Sequence, residues 1–286
     1  MGGGSGGGWY RFPRGSSPQD IVKPAADKTD EKFLSTQVSN MLQEKLKEIN
    51  AHDYEAIDRH KTEIVNKLKS EFEVEEIRFG GSHARSTDVQ GLSDVDILVT
   101  LGDFEEGKSS NQVIADFARA LKERFPKTEI FAGKMAVTLS FSNGLKVQIL
   151  PAFRYQDGHQ IPDPNGKGWI KTFPNRFARE LTSVNKKQSG QVVRVIKLVK
   201  TICNANNIDI SSYHLENMAL KAFKYYTGDK TLPKMLKHFF NQAESLCLKP
   251  IPDLSGQSKY VDGDLSKGER ERIARDFAQV EAKIDE

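Results

Sequence analysis

The chain has 286 residues, of which 37% are hydrophobic and 28% charged, a composition typical of a globular protein that can bury a core of its own. The formal net charge of +3 is too small to predict a nucleic-acid-binding protein by itself. Two cysteines, Cys203 and Cys247, are too few for a disulfide framework and lack metal-ligand spacing. No apolar run reaches the length of a membrane span, and the N-terminus has no secretory apolar region. We therefore expect a cytoplasmic protein with reduced thiols and no membrane partner.

Residues 1–28 are rich in glycine and serine, especially at their beginning, and cannot form much of a packed core. This segment is either a tag or a native disordered tail, and it is left out of the fold prediction.

Helical spacing of apolar residues begins after this tail. One helix is predicted from about residue 32 to 50 and a second from 52 to 72. The apolar stripe of the second helix consists of Tyr54, Ile57, Ile64, Leu68 and Phe72.

The pattern changes to short apolar stretches at Val74. Strands are predicted over 77–79, 95–101, 135–141 and 145–150. Asn143-Gly144 predicts a hairpin turn between the last two. A helix over about 109–125 interrupts the strands, with Ser109 or Ser110 as its cap.

The pattern is helical again after Pro174, with breaks near 208–212, at Pro233 and over 250–263. Helices, then a mixed sheet, then helices predict an α+β fold with a catalytic lobe and a C-terminal helical lobe. We expect the catalytic lobe, with the N-terminal helices packed alongside, over 29–175 and the helical lobe over 176–286.

The segment from Gly80 to Asp96 carries the strongest chemical signal. Gly80 and Gly81 follow a short strand and let a backbone approach a ligand closely, and the Ser82 hydroxyl can reach a phosphate oxygen. Asp94 and Asp96 lie two residues apart at the start of an apolar strand, so both carboxylates project from one face. Two adjacent carboxylates repel each other unless a cation lies between them, and Mg²⁺ prefers carboxylates together with substrate phosphates. The sequence thus predicts a metal site for a phosphorylated substrate.

Arg194, Lys197 and Lys200 are spaced three apart and predict a basic stripe on one helix. A stripe of this kind suits a triphosphate, although solvated helix charges would give the same pattern.

Gly81-Ser82 followed by Asp94-Val95-Asp96 resembles the signature of the DNA polymerase β-like nucleotidyltransferase superfamily. More of the chain is similar to one branch, the cGAS/DncV-like nucleotidyltransferases, whose bacterial members are the oligonucleotide cyclases of CBASS. The stretches that carry the branch resemblance are Val147–Phe153, Ile161–Asp163, Gly168–Ile170, Asn185, Val195–Lys200 and Ser211–His214.

The resemblance implies a role for each matching residue. Asp94 and Asp96 match two metal-binding aspartates, for Mg²⁺ or Mn²⁺, and Ser82 matches the serine that holds the donor triphosphate. Lys200 matches a phosphate-contacting lysine, and Lys197 is expected beside it in the nucleotide site. Ser212 matches a serine near the phosphates and Tyr213 an aromatic residue that stacks on a base.

The pattern departs from the family at Gln148, where the third metal carboxylate normally stands. An amide oxygen can bind magnesium but brings no charge and cannot act as a base. Three explanations remain open: a subgroup that is active with glutamine, a nucleotide-binding pseudoenzyme, or an engineered inactivating change.

The resemblance implies an enzyme that joins ATP or other nucleoside triphosphates into a cyclic or linear oligonucleotide second messenger, in bacteria for anti-phage signalling. It also implies CBASS accessory or effector proteins as partners, with no requirement for RNA or DNA. An RNA-end-modifying nucleotidyltransferase and a non-catalytic nucleotide sensor are the alternatives.

Overall fold

The computed structural model describes residues 28–102, 109–166, 168–263 and 265–285. The Gly/Ser-rich tail over 1–27 lies outside the described residues. None of the helices in the described ranges combines the length and the apolar character that crossing a membrane requires.

The described helices and strands follow the predicted order of helices, sheet and helices. The helices are α1 (Lys28–Ile49), α2 (Tyr54–Glu71), α3 (Gly81–Ala84), α4 (Ser110–Arg124), α5 (Pro174–Lys187), α6 (Gln191–Ala205), α7 (Ser212–Phe223), α8 (Leu232–Leu248) and α9 (Lys267–Asp285). The strands are β1 (Val74–Phe79), β2 (Val95–Leu101), β3 (Glu129–Ala132), β4 (Val137–Ser140), β5 (Lys146–Tyr155), β6 (Gly158–Pro162) and β7 (Trp169–Thr172).

The seven strands form one mixed sheet. Its main order is β1-β2-β5-β4-β3, with β6 paired to β5 and β7 paired to β6. Strands β2 and β5 are parallel, and every other pair is antiparallel. The α+β class with a mixed sheet and a helical part is confirmed.

The β4–β5 hairpin forms at the predicted turn. Gly144 has φ +84°, a conformation that glycine adopts without steric cost, and Phe141 N donates to Leu145 O over 2.9 Å. Strand β5 is longer than predicted and continues through Pro151. This proline lies between Ile149, the last residue paired with β4, and Phe153, the first residue paired with β6. Proline has no amide hydrogen to donate, so it fits where the neighbouring strand changes.

Two apolar clusters make up most of the core. One lies between the sheet and helices α2 and α4, with Ile64, Ile97 and Phe117 fully buried. The other is formed by α5 to α9, with Phe223 and Phe239 at its centre.

Helix α1 packs on the helical cluster, to which its residues Leu46 and Ile49 belong, whereas α2 contributes Ile57, Ile64 and Leu68 to the sheet cluster. The apolar residues of α1 face α6 and α8. The two N-terminal helices thus pack on different clusters, and the lobe boundaries at 29–175 and 176–286 stay a prediction.

Candidate active site

The two aspartates stand at the beginning of β2. Val95 and Ile97 alternate with Asp96 and are buried in the sheet core. Residues two apart in a strand share a face, so Asp94 and Asp96 lie on the face opposite that core. Both side chains are half-buried.

Burial raises the pKa of Asp96 to about 6, and the nearby charge of Asp94 adds to the effect. Glu216 raises this pKa further, whereas Arg85 and Lys200 oppose the shift. Ionisation of Asp96 is therefore less favourable than that of an ordinary aspartate, and a nearby cation would favour it.

Gly81 has a specific steric relation to Asp96. A Cβ atom on Gly81 would lie 1.6 Å from Asp96 Oδ2, and Gly81 has φ +50°. Gly80 N also donates to Asp96 O over 2.8 Å. Position 81 thus needs glycine because the Asp96 side chain occupies the space of a Cβ atom, whether or not a ligand also approaches the turn.

Gln148 lies beside the aspartates. In the parallel pairing of β2 with β5, Gln148 stands opposite Asp96, and its Nε2 donates to Asp94 Oδ2 over 2.7 Å. Gln148 thus supplies a hydrogen bond to Asp94 but no charge. Within the described ranges, no group of three or more His, Cys, Asp or Glu residues is arranged to hold a metal ion.

Asp94 and Asp96 fit a divalent cation. Mg²⁺ takes oxygen ligands and commonly uses one or two protein carboxylates, with waters and substrate phosphates completing its shell. A cation between the carboxylates would also relieve the unfavourable charge that the raised pKa of Asp96 reports.

Ser82 lies in α3, a single helical turn after β1, and is 7% exposed. Its carbonyl oxygen accepts hydrogen bonds from Thr87 N at 3.0 Å and Arg85 N at 3.1 Å. The turn and the segment that follows it therefore form one hydrogen-bonded unit beside Asp96.

Lys200 reaches this unit from the helical lobe. Its Nζ donates to Thr87 O over 2.9 Å and to Glu216 Oε1 over 2.8 Å, and the side chain is buried. Arg85 Nε donates to Glu216 Oε2 over 2.6 Å. Burial alone would raise the pKa of Glu216, but Arg85 and Lys200 outweigh it and hold that pKa below its ordinary value.

Lys197 contacts the neighbouring residue Asp88. Its Nζ donates to Asn50 Oδ1 over 2.6 Å and lies 3.7 Å from Asp88 Oδ1. His52 Nε2 lies 2.8 Å from the other oxygen of the same carboxylate. Burial lowers the pKa of Lys197.

The predicted basic stripe is wrong as a single surface. Arg194 is exposed, whereas Lys197 and Lys200 are buried between α6 and the segment that ends at Asp88. The reason is that Asp88 and the Thr87 carbonyl of the other lobe, together with Glu216 of the helical lobe, bind the two ammonium groups.

Tyr213 and Ser212 open α7, and Ser212 is exposed. The Tyr213 hydroxyl donates to Asp253 Oδ1 over 2.8 Å, and the ring packs edge-on against Phe177 with centroids 5.0 Å apart. Burial raises the pKa of Tyr213 to about 12, so the phenol stays protonated. Arg85 lies 5.7 Å from the ring centroid, which places Tyr213 near the Arg85–Glu216 pair.

Sequence reasoning assigned no role to Arg85, Thr87, Asp88 or Glu216. Glu216 carried a usable signal, because it stands among the apolar residues of α7 and is 0% exposed. A charged residue in an apolar stripe needs a partner, but the sequence does not show that the partner comes from the segment after Ser82.

The chain resembles known proteins in sequence and in fold. Residues 34–185 match the family described as the Second Messenger Oligonucleotide or Dinucleotide Synthetase domain. A probable cyclic nucleotide synthase from Bacillus cereus strain VD146 is 29% identical over 185 residues, which cover 61% of this chain and 51% of that protein. The matched part of the chain thus spans about half the length of this curated relative.

Two solved proteins share the fold. CdnG of Bradyrhizobium diazoefficiens, a CD-NTase in complex with GTP, superposes with a TM-score of 0.70 at 14% identity, covering 92% of each chain. CdnC of E. coli MS115-1 with ATP gives a TM-score of 0.66 at 17% identity, covering 85% of this chain and 86% of CdnC. CdnC has also been solved in a complex with HORMA-deltaN. At these identities the likeness establishes the fold, and the predicted nucleotidyltransferase fold is confirmed.

Proposed function

The chain belongs to the Second Messenger Oligonucleotide or Dinucleotide Synthetase domain family, and on that premise we propose that it joins nucleoside triphosphates into a cyclic oligonucleotide. The observation that carries the proposal is the placement of Asp96 against the Gly81-Ser82 turn, with Asp94 two residues earlier on the same face. This arrangement combines two oxygen ligands for a cation with a turn suited to phosphate.

The donor triphosphate lies at the Gly81-Ser82 turn, with the Ser82 hydroxyl on a phosphate oxygen. Asp94 and Asp96 hold Mg²⁺ or Mn²⁺, which when bound neutralises phosphate charge and favours departure of pyrophosphate. Ser212 and Tyr213, at the start of α7, lie on the base side of the nucleotide. Lys197 and Lys200 lie behind the turn and supply positive charge from the helical lobe.

In the reaction, a ribose hydroxyl oxygen of one nucleotide forms a bond to the α-phosphorus of another. The bond from that phosphorus to the bridging oxygen of the β-phosphate breaks, and pyrophosphate leaves with the bonding electrons. Gln148 has no basic atom at neutral pH, so the hydroxyl proton passes to water or to a phosphate oxygen of the substrate. A second transfer within the linear product closes the ring.

The cyclic product rests on the family and on the relative from Bacillus cereus, which is described as a probable cyclic nucleotide synthase. ATP and GTP are the first substrates to test, because CdnC and CdnG were solved with these nucleotides. We further propose a role in anti-phage signalling and a regulatory partner protein, since CdnC forms a complex with HORMA-deltaN.

A second candidate function is nucleotide binding with little or no turnover. Gln148 favours this candidate, because its side chain donates a hydrogen bond to Asp94 where a carboxylate could receive the proton of the attacking hydroxyl.

Incubation with labelled nucleoside triphosphates and Mg²⁺ or Mn²⁺, followed by chromatography, tests both candidates. A phosphatase-resistant product formed without RNA supports the cyclase. Nucleotide binding without product supports the second candidate. A product that forms only with RNA contradicts both and indicates an RNA-end-modifying enzyme.

A further inference from the structure

Glu216 is the centre of a buried polar network between the two lobes. It lies on α7, is 0% exposed, and accepts hydrogen bonds at both carboxylate oxygens. Oε2 accepts from Arg85 Nε at 2.6 Å, and Oε1 accepts from Thr87 Oγ1 at 2.6 Å and from Lys200 Nζ at 2.8 Å.

Arg85 and Thr87 belong to the segment that follows Ser82 directly. Thr87 N donates to Ser82 O over 3.0 Å, and Lys200 Nζ donates to Thr87 O over 2.9 Å. Each residue of the network is thus connected to the Ser82 turn either directly or through one intervening residue. The position of the turn therefore depends on a carboxylate from the helical lobe.

Stability alone is a poor explanation for this network. Breaking a buried ion pair is costly, but replacing the whole pair by apolar residues is often neutral or stabilising. The buried positions around Glu216 in α7 are mixed, with Leu215, Met218 and Ala219 apolar and His214 and Asn217 polar. The Glu216 carboxylate is fully hydrogen-bonded and so fixes the orientation of its three partners.

The network also controls the charge near Asp96. Arg85 and Lys200 are two cations with one buried anion, Glu216, between them, and all three act electrostatically on Asp96. Without the Glu216 charge, two uncompensated cations would remain beside the aspartates and compete with a metal ion.

We propose that Glu216 is a positioning residue for the donor site, which holds the Gly81–Asp88 segment in place from the helical lobe and balances the charge of Arg85 and Lys200. The inference rests on the proposed function, because it assigns the donor triphosphate to the Ser82 turn. Glu216 touches no substrate on this account and acts through Arg85 and Thr87.

The test compares Glu216→Gln with a matched control, Gln188 at the C-terminal end of α5, which anchors the far end of α7. Gln188 is a buried polar residue whose Nε2 donates to Phe223 O over 3.0 Å and to Tyr226 O over 2.9 Å, at the other end of α7. Gln188→Leu therefore disturbs the anchoring of α7 about 10 Å from Glu216 without touching the segment after Ser82.

Two quantities are measured in the full-length variants: amide hydrogen exchange over residues 82–88 and the affinity for ATP with Mn²⁺ by calorimetry. For Glu216→Gln we expect exchange in this segment to accelerate at least tenfold and ATP affinity to fall at least tenfold. For Gln188→Leu we expect both to stay within about twofold of the wild type, even if the melting temperature falls equally. Equal behaviour of the two variants in both measurements would overturn the proposal.

Thr87→Val decides the question if Glu216→Gln fails to fold, because it retains nearly the same volume and removes the 2.6 Å hydrogen bond to Glu216. It also removes two weaker contacts of 3.4 Å, to Ser82 O and from Lys200 Nζ. We expect a threefold or greater loss of ATP affinity together with faster exchange over 82–88, and a variant that matches Gln188→Leu overturns the proposal. Failure of the proposed function is recognised separately, as a wild-type protein that makes no product. The exchange comparison still decides whether Glu216 holds the segment.

Discussion

Gln148 and Asp94 are joined by a hydrogen bond of 2.7 Å from the amide Nε2 to the carboxylate Oδ2. The bond holds Asp94 in place, whereas a carboxylate at position 148 would repel Asp94 unless a cation lay between the two groups. The glutamine thus makes the metal-free site more stable and reduces the number of charged ligands available to a metal.

Gln148→Asp is expected to bind Mn²⁺ about tenfold more tightly and to increase the rate of product formation, because a third carboxylate adds charge and a proton acceptor. Without metal, the same variant is expected to lose about 1 kcal/mol or more of unfolding free energy, because like charges then lie side by side. Metal titration, product assays and denaturant unfolding measure these effects.

Gln148→Asn is the control, since it shortens the amide without adding charge. If Gln148→Asp loses activity to the same extent as Gln148→Asn, glutamine is the working solution of this site and the interpretation of a missing ligand is wrong.

Gly81→Ala is expected to abolish turnover and to weaken Mn²⁺ binding at least tenfold, because the new Cβ would collide with Asp96 Oδ2. Gly91→Ala is the matched control. Gly91 also has positive φ, +74°, but a Cβ there would meet no atom within 4 Å. Both variants carry backbone strain of about 1 kcal/mol, so a difference in metal affinity reports the collision. Equal effects of the two variants would show that strain alone is responsible.

The pH dependence of stability has one clear contributor in His159, which is 1% exposed. Burial, reinforced by Arg78 and Arg154, lowers its pKa from 6.5 to about 4, although Glu76 opposes the shift. The folded protein therefore prefers the neutral ring. Its contribution is complete above about pH 6.5 and is lost as the pH falls towards 4.

Replacing His159 by glutamine should reduce the loss of unfolding free energy between pH 7 and pH 4 by up to about 3 kcal/mol. Denaturant unfolding of both proteins across this range measures the difference. Parallel curves for wild type and His159→Gln would show that the ring does not titrate in this interval.

The sequence was informative where short-range pattern determines structure. The alternation in β2 and the Asn143-Gly144 turn predicted their strands and the hairpin, because side-chain period and turn geometry are local properties. The α+β class followed from the order of such segments. Three strands, β3, β6 and β7, were not predicted, since each is only four or five residues long and is defined mainly by its pairing.

The sequence was less informative about contacts between the lobes. Lys197 and Lys200 have helical spacing that is equally typical of a solvated face, and their burial depends on Asp88 and Thr87, which are distant in the chain. The role of Gly81 was similarly hidden, because only the fold brings the Asp96 carboxylate against it. The roles of Ser82, Asp94, Asp96, Ser212 and Tyr213 in nucleotide binding remain predictions.

Asp94 and Asp96 are expected to support the joining of nucleoside triphosphates. The most direct measurement incubates wild type, the double variant Asp94→Ala/Asp96→Ala and the control Asp157→Ala, an exposed acid, with labelled nucleoside triphosphates and Mn²⁺. Products are resolved after phosphatase treatment. We expect resistant product from wild type and from the control, and none from the double variant. Product from the double variant at the wild-type rate would show that Asp94 and Asp96 are not needed for the reaction.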